Sequence, residues 1–417
     1  VLQMVGRAGR PGLDETGVAV IMTSNEQKQY YSGSCLCADT VESSLLHLLS
    51  ESLCSEISQH VITDVSEAIT WLKATFFYVR IARNPRGYGV EGESFCNQAA
   101  LDDFLNTMCL RSLQALAVSG IVEFDPSGYV VGPLPEAVIM TRHVIRCQTM
   151  VTLMELSALS SIPDVVWQLG AIQELQRPLR RGEKKLLNEV TKRLRFRPKG
   201  NKVHSVADKV VVLLQSSVQA VKFDDFLLNV QKSEVRDLAM RVLSALKDLA
   251  LERGRGRLLL SCMLLRRALD KYMWDTPPSM FLQVQGLHES TYHMLASGKV
   301  PTLQAAKEGG RRGMQSALSC GDKDLRLLTS FFVKCHDSAL AVRPIPLHSS
   351  KSQVCFEVAP RFPPPLLVRP QDARVNDGFP SDLRYVLVVY HCRTGETVMH
   401  RYCRPKASIT FNIRLPP

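Results

Sequence analysis

The sequence predicts a multidomain, mainly α-helical chain with a β-rich C-terminal end. Three observations carry this. The 417 residues exceed the roughly 100–200 residues of one ordinary domain. From about residue 45 to residue 275 the apolar side chains recur at helical spacing. Beyond about residue 338 prolines cluster and short alternating segments replace that pattern. With 45% hydrophobic residues, the chain can bury ordinary cores.

Composition narrows the partners. A formal net charge of +11 points to a polyanion, most simply nucleic acid. No apolar run approaches the roughly 18–20 residues that span a bilayer, so no membrane partner is expected. Of the twelve cysteines, only Cys35 and Cys37 are close, and C-x-C alone is a poor metal signature. Scattered cysteines in a large basic chain read as reduced thiols of the cytosol or nucleus, most of them small core residues. His47, His60, His143 and His204 are isolated, and no catalytic triad follows from spacing.

The most specific run is Gln3-Met4-Val5-Gly6-Arg7-Ala8-Gly9-Arg10-Pro11-Gly12. On a helix, Gln3, Arg7 and Arg10 share one face. Guanidinium groups stay charged and fork to match phosphate oxygens. Two of them one turn apart suit a terminal phosphate and the charge that builds during phosphoryl transfer. Gly6 and Gly9 let a neighbouring backbone approach, and Pro11-Gly12 stops the helix. The alternative, a basic loop with chance glycines, is disfavoured by the added Gln3 and Pro11-Gly12. The run resembles motif VI of superfamily-two DExH helicases, in the form of the Ski-like branch. That resemblance implies the second of two RecA-like α/β domains, with Arg7 and Arg10 as arginine fingers on ATP and Mg²⁺. Gln3 and Gly6 would support the nucleotide site. No G-x-x-x-x-G-K-[ST] and no DExH run occurs. The expectation is therefore a C-terminal fragment, inactive alone, whose ATP is held mainly by an absent upstream domain.

Val18 to Met22 reads as a buried strand of that RecA-like remnant. A short helix and linker follow to residue 37. Asp39-Thr40-Val41-Glu42 then resembles a capped start for Leu45, Leu46, Leu48, Leu49 and Leu53. Asp64 caps a second helix with Ala68, Ile69, Leu72, Phe76 and Val79; a third carries Leu105, Cys109, Leu113 and Leu116. Ile121 to Val131, turning at Asp125-Pro126-Ser127-Gly128, is a hairpin. Helices followed by a hairpin spell a winged helix. The stretches "DTVESSLLHLL" and "ITDVSEAITWLKATFFYVRI" resemble the meiotic crossover-promoting DNA helicases. A bracing role is expected for this domain rather than duplex binding.

Residues 146–275 read as helical throughout. Within them, Arg177 to Lys209 holds twelve basic and three acidic residues. It is a phosphate-tracking surface or import signal on one reading, a solvated face on the other. Next, "VRDLAMRVLSALKDLALERGRGRLLLSCMLLRRALDKYMW" resembles the ratchet-type helical domain of Ski-like helicases. By that resemblance Arg236, Arg241 and Lys247 touch single-stranded nucleic acid, Arg241 foremost; an exposed arginine without a partner is the competing view. Phe281-Leu282-Gln283-Val284-Gln285-Gly286-Leu287 and Ser297-Gly298-Lys299 read as a helix-hairpin-helix with Gly286 and Lys299 on phosphate.

In the tail, Val354–Val358, 366–368, Tyr385–Tyr390, Thr397–Tyr402 and Ile409–Ile413 alternate as strands of an immunoglobulin-like β-sandwich, expected to bind recombination proteins or brace. The segments are then 1–37 (RecA-like remnant), 38–145 (winged helix), 146–280 (helical, ratchet-type), 281–335 (helix-hairpin-helix) and 336–417 (β-sandwich). The resemblance implies a nuclear, ATP-dependent 3′-to-5′ DNA helicase on single-stranded or branched recombination intermediates. Two alternatives stay open: an RNA helicase of the spliceosomal or exosome branch, and a docking module without ATPase activity.

Overall fold

A computed structural model describes residues 1–10, 12–35, 41–89, 98–125, 130–219, 221–274, 284, 286–288, 290–291, 321–334, 339–345, 353–361, 385–403 and 409–414. The chain divides into two units, Val1–Ala137 and Val138–Pro417.

In the first unit, α1 (Leu2–Val5) has only four residues. The helix predicted to carry Gln3, Arg7 and Arg10 on one face is therefore corrected. It ends before Gly6, and Gly9 at φ 84° turns the chain, a conformation glycine adopts without strain. Pro11, the predicted stop, lies outside the described residues. The strand predicted for Val18 to Met22 is also corrected. These residues form no strand, and Val18 and Met22 are 86% and 93% exposed. A strand needs a hydrogen-bonded neighbour, and among the described residues none pairs with it. α2 (Lys28–Cys35) follows.

Asp39-Thr40 lies outside the described residues, and α3 (Leu49–Ser58) begins after a single 3₁₀ turn, Leu45–Leu48. It buries Leu49, Leu53, Cys54 and Ile57. Asp64 caps α4 (Val65–Lys73) as predicted, its carboxylate accepting from the Glu67 amide at 2.7 Å. One helix from Asp64 to Val79 is corrected, however. Thr75 takes an extended conformation (φ −90°, ψ 160°), and α5 (Phe76–Arg83) restarts. The restart rotates the face: Phe77, Arg80 and Ile81 go inside, while Phe76 and Val79 face solvent. In α6 (Gln98–Val118), Leu105, Cys109, Leu113 and Leu116 are fully buried on one face, as their spacing requires.

The hairpin pairs β1 (Val122–Phe124) with β2 (Val131–Pro133), Glu123 opposite Gly132. Of its predicted turn, Asp125-Pro126-Ser127-Gly128, residues 126–128 lie outside the described residues. The Val131 amide donates to the Thr63 carbonyl at 2.8 Å, fixing the hairpin to the loop before α4. Helices α3 to α6 and this hairpin make the winged helix.

Glu42 anchors the same unit. Its carboxylate accepts from Arg80 Nε (3.1 Å) and Nη2 (2.7 Å), from Asn84 Nδ2 (3.0 Å) and from the Tyr88 hydroxyl (2.7 Å). Tyr88 also meets Phe77 edge-on at 5.2 Å.

The second unit is built on helices α7 (Pro135–His143), α8 (Cys147–Met154), α9 (Ile162–Ala171), α10 (Glu183–Thr191), α11 (Val206–Val218), α12 (Phe226–Glu252) and α13 (Gly256–Lys271). α11 is buried on every side from Lys209 to Val218. A helix buried all round belongs at a centre, not at a surface. α9 comes close because Gly170 lacks a side chain: a Cβ there would stand 2.9 Å from Val211 Cγ2. Burial pushes the Cys109 thiol up to about 11 and the Cys262 thiol up to about 12. Both are core residues with inert thiols, as the scattered pattern suggested.

Of residues 281–335, Val284 and Leu287 are buried, Gly286 is exposed at φ 85°, and α14 (Asp322–Lys334) closes the segment. Asp324 accepts from Thr291 Oγ1 at 2.5 Å. Most of the predicted helix-hairpin-helix, Lys299 included, lies outside the described residues.

Among the described residues the tail holds five strands: β3 (Ala339–Ile345), β4 (Gln353–Arg361), β5 (Tyr385–Tyr390), β6 (Thr397–Cys403) and β7 (Ile409–Arg414). They form two antiparallel sheets, β3-β4-β7 and β5-β6. Residues 366–368 lie outside the described residues. The β5-β6 hairpin seats on the turn joining α12 to α13. Arg257 N donates to Gly395 O (3.2 Å) and Thr397 N to Gly254 O (2.5 Å). Gly256 permits this contact, since a Cβ would meet Tyr390 Cβ at 2.5 Å.

The bonds from Arg80, Asn84 and Tyr88 hold the Glu42 carboxyl at about 2, below its ordinary 4.5. A depressed folded value means the stabilisation is complete above about pH 4.5 and is lost as pH falls toward 2. Thermal melts of the chain should therefore lose midpoint temperature across that window, and Glu42→Gln should flatten that part of the profile. An unchanged profile in Glu42→Gln would show that the cluster does not carry acid lability.

Candidate nucleic-acid interface

Local structure places the opening motif on an exposed loop. Gln3, Gly6, Arg7 and Arg10 all face solvent. Gly17 folds back on the loop; a Cβ there would come within 2.6 Å of Ala8 O. Arg7 lines a groove of about 790 Å³ whose walls include Met4, Val18, Val20 and Met22. Arg10 Nε lies 3.4 Å from Asp14, and Arg10 is 76% exposed. Such a surface pair is worth about 0–1 kcal/mol, so an incoming phosphate displaces Asp14 at little cost. Two exposed guanidinium groups fit a terminal phosphate. Among the described residues no cluster of His, Cys, Asp and Glu is placed to hold Mg²⁺.

The three cations predicted on α12 do not share one face. At about 100° per residue, Arg241 lies roughly 140° round the helix from Arg236, whereas Lys247 falls close to Arg236. Arg236 is spent internally. Its Nε donates to Leu269 O at 3.1 Å, and its guanidinium sits 4.6 Å from the Tyr272 ring centroid, tying α12 to the end of α13. Arg241 lines a depression with Arg177, Glu234, Asp237 and Leu238, and its Nη2 is 3.5 Å from Glu174. Acids match cations there, which makes a poor phosphate face. Lys247 Nζ, 3.2 Å from Asp248, borders a different groove, of about 360 Å³.

That groove brings α12, α13 and β6 together. Met240 and Lys247 come from α12, Met263, Arg266 and Arg267 from α13, and Tyr402 from β6. Sequence reasoning missed Arg266, Arg267 and Tyr402. The Arg-Arg pair is visible in the α13 pattern, but nothing local in the sequence brings Tyr402 to it, because they meet only once the hairpin docks.

The basic run from Arg177 to Lys209 is in part scaffolding. Lys209 is fully buried, with Nζ 2.6 Å from Glu183 Oε1 and 2.8 Å from Pro178 O. Arg180 bridges Glu183 (3.1 Å) and Asp225 (3.2 Å), and Arg177 meets Glu234 at 3.1 Å. Arg195 packs against Phe196 and Trp274, 5.2 and 5.3 Å from their ring centroids. Lys184, Lys185, Lys192, Arg193 and Lys202 remain exposed.

Comparison with known proteins follows this layout. The Sec63 Brl domain family matches residues 133–370, and a winged helix-turn-helix domain family matches residues 42–125. An "ATP-dependent DNA helicase MER3 homolog" of Oryza sativa subsp. japonica is 28% identical over 330 residues, 76% of this chain and 27% of that protein. The "Probable ATP-dependent DNA helicase HFM1" of Homo sapiens is 28% identical over 326 residues, 76% of this chain and 22% of that protein. The "U5 small nuclear ribonucleoprotein 200 kDa helicase" of Drosophila melanogaster is 26% identical over 279 residues, 66% and 13% respectively. The chain thus spans about a quarter of the length of the first two relatives.

Removing Lys209 from the buried Lys209–Glu183 pair leaves the Glu183 carboxylate to Arg180 alone, at a cost of up to about 3–5 kcal/mol. Lys209→Ala should lose about that much in denaturant unfolding, while the protein that remains folded keeps its affinity for oligonucleotides. Lost affinity at full stability would reassign Lys209 to the binding surface.

Proposed function

The chain belongs to the Sec63 Brl domain family, and from that premise we propose that it is the C-terminal part of an ATP-dependent DNA helicase of meiotic recombination and crossover formation. One observation carries this reading. The Gln3–Gly12 run, the winged helix and the Sec63 segment stand in one chain, in the order that the resemblance leads one to expect. The relatives named as DNA helicases support DNA as the substrate.

Residues 1–37 are then the end of a RecA-like motor domain. Arg7 and Arg10 reach the terminal phosphate of ATP, and Gln3 and Gly6 shape the approach. ATP supplies the driving force when bound. The lysine and acidic groups that would grip it and Mg²⁺ are contributed from outside these residues. Residues 38–145 brace the motor and 146–280 order the strand through Lys247 and its neighbours. Residues 281–335, with Gly286 and Lys299, hold the phosphate backbone, and 336–417 form an immunoglobulin-like domain that receives recombination proteins. The work is nuclear and runs 3′ to 5′ on single-stranded or branched DNA. No helix among the described residues is long and apolar enough to cross a membrane.

The Drosophila relative favours one rival, an RNA helicase of the spliceosomal branch. Unwinding assays on matched DNA and RNA duplexes, using protein that carries both motor domains, separate the two; faster unwinding of RNA would favour the rival.

Arginine fingers are worth about 10³–10⁵ in turnover. Arg7→Ala and Arg10→Ala in that protein should each cut strand-stimulated ATP hydrolysis by about 10³-fold or more, with little change in strand affinity. Hydrolysis at the wild-type rate in both variants would remove the motor assignment and favour a docking module.

A further inference from the structure

We propose that the groove between α12, α13 and the β5-β6 hairpin is a single-strand binding site in which Tyr402 stacks a base and Arg266 holds a phosphate. The proposal rests on the nucleic-acid reading above and adds the C-terminal β hairpin to the strand path. The sequence alone had given that region to protein contacts.

Four observations carry it. First, charge separates the two sides of α12. The groove is lined by Lys247, Arg266 and Arg267 against one carboxylate, Asp270. The depression around Arg241 sets Arg177 and Arg241 against Glu234 and Asp237. A polyanion therefore favours the first side. Second, one of these cations, Arg266, is available. Arg266 is exposed and makes no ion pair among the described residues. Asp270, the acid in the groove, already pairs with Lys271 at 3.0 Å.

Third, Tyr402 stands 62% exposed beside these cations. A large aromatic ring left in water next to a cluster of guanidinium groups suits a base with its phosphate, because every base offers a π face and stacking needs no sequence. Met240 and Met263 line the same groove and supply adaptable apolar contact. The volume, about 360 Å³, lies at the small end of ligand sites, which run roughly 300–1,000 Å³.

Fourth, the position of Tyr402 is built. The hairpin is fixed to the α12–α13 turn through Arg257 N to Gly395 O, Thr397 N to Gly254 O and the close fit of Gly256. Tyr402 lies opposite Val386 in the β5-β6 register, so sheet pairing holds its backbone.

The test is fluorescence anisotropy of a labelled oligothymidylate with the 417-residue chain over a range of salt. Stacking on one aromatic ring corresponds to about a 5- to 150-fold change in affinity. Tyr402→Ala should weaken binding by that factor, and Tyr402→Phe, which keeps the ring, should stay within about twofold. Arg266→Ala should lower the slope of log affinity against log salt by about 0.7, the share of one phosphate on a single strand. Wild-type affinity and slope in both alanine variants would overturn the groove and leave the nucleic-acid reading standing. Failure of the unaltered chain to bind the oligonucleotide would remove that reading and the groove with it. Polyglutamate that displaces the oligonucleotide, with its own binding dependent on Arg266 and indifferent to Tyr402, would make the groove an acidic-peptide site and overturn the proposal.

Discussion

The burial of α11 on all sides is the constraint around which the second unit is arranged. Ten consecutive buried residues, Lys209 to Val218, leave this helix no solvent face. Its neighbours must supply apolar contact along most of it, hydrogen bonds such as those of Phe196 to Gln215, and a counter-charge at Lys209. Lys209 sets that place. Its ammonium requires Glu183 at the start of α10; Glu183 in turn binds Arg180, and Arg180 reaches Asp225, the cap of α12. One buried charge thereby ties the beginnings of α10 and α12 to the central helix. Low dielectric makes such a chain stringent, because each member is costly without the next.

That network explains why charge density along the sequence is a poor guide to a binding surface here. The basic run holds a surplus of nine charges, yet Arg177, Arg180, Arg195 and Lys209 are engaged in pairs, stacks or burial. Sequence separation hides the acids that neutralise them: Asp225 lies 45 residues from Arg180 and Glu234 lies 57 from Arg177.

Elements governed by local rules were legible. The Asp64 cap, the buried face of α6, the β1-β2 hairpin and the long α12–α13 pair all follow from spacing and capping. Failures came where local pattern met tertiary choice. Thr75 breaks a continuous helical pattern by going extended, which rotates the buried face by an amount no periodicity encodes. Val18 to Met22 has strand composition but no partner among the described residues. Around the site, the residue types on α12 were read correctly as cationic, but their roles depend on neighbours. Arg236 is taken by Leu269 and Tyr272, Arg241 is offset by acids, and Lys247 alone of the three opens on the cationic groove. Tyr402 lies 155 residues from Lys247 by number, and only hairpin docking brings them to one groove.

The seating of one turn on another has an evolutionary consequence. Gly254 O accepts from Thr397 N, Gly395 O accepts from Arg257 N and Gly256 packs against Tyr390, with Gly395 also pressed against Ala158, where a Cβ would come within 2.5 Å of the carbonyl oxygen. Neither turn can lengthen by a residue without unseating the other. Insertions and deletions among related chains should therefore spare both turns together, and substitutions at these glycines should arise as coordinated changes. Two loops more than a hundred residues apart are in this sense a single heritable unit.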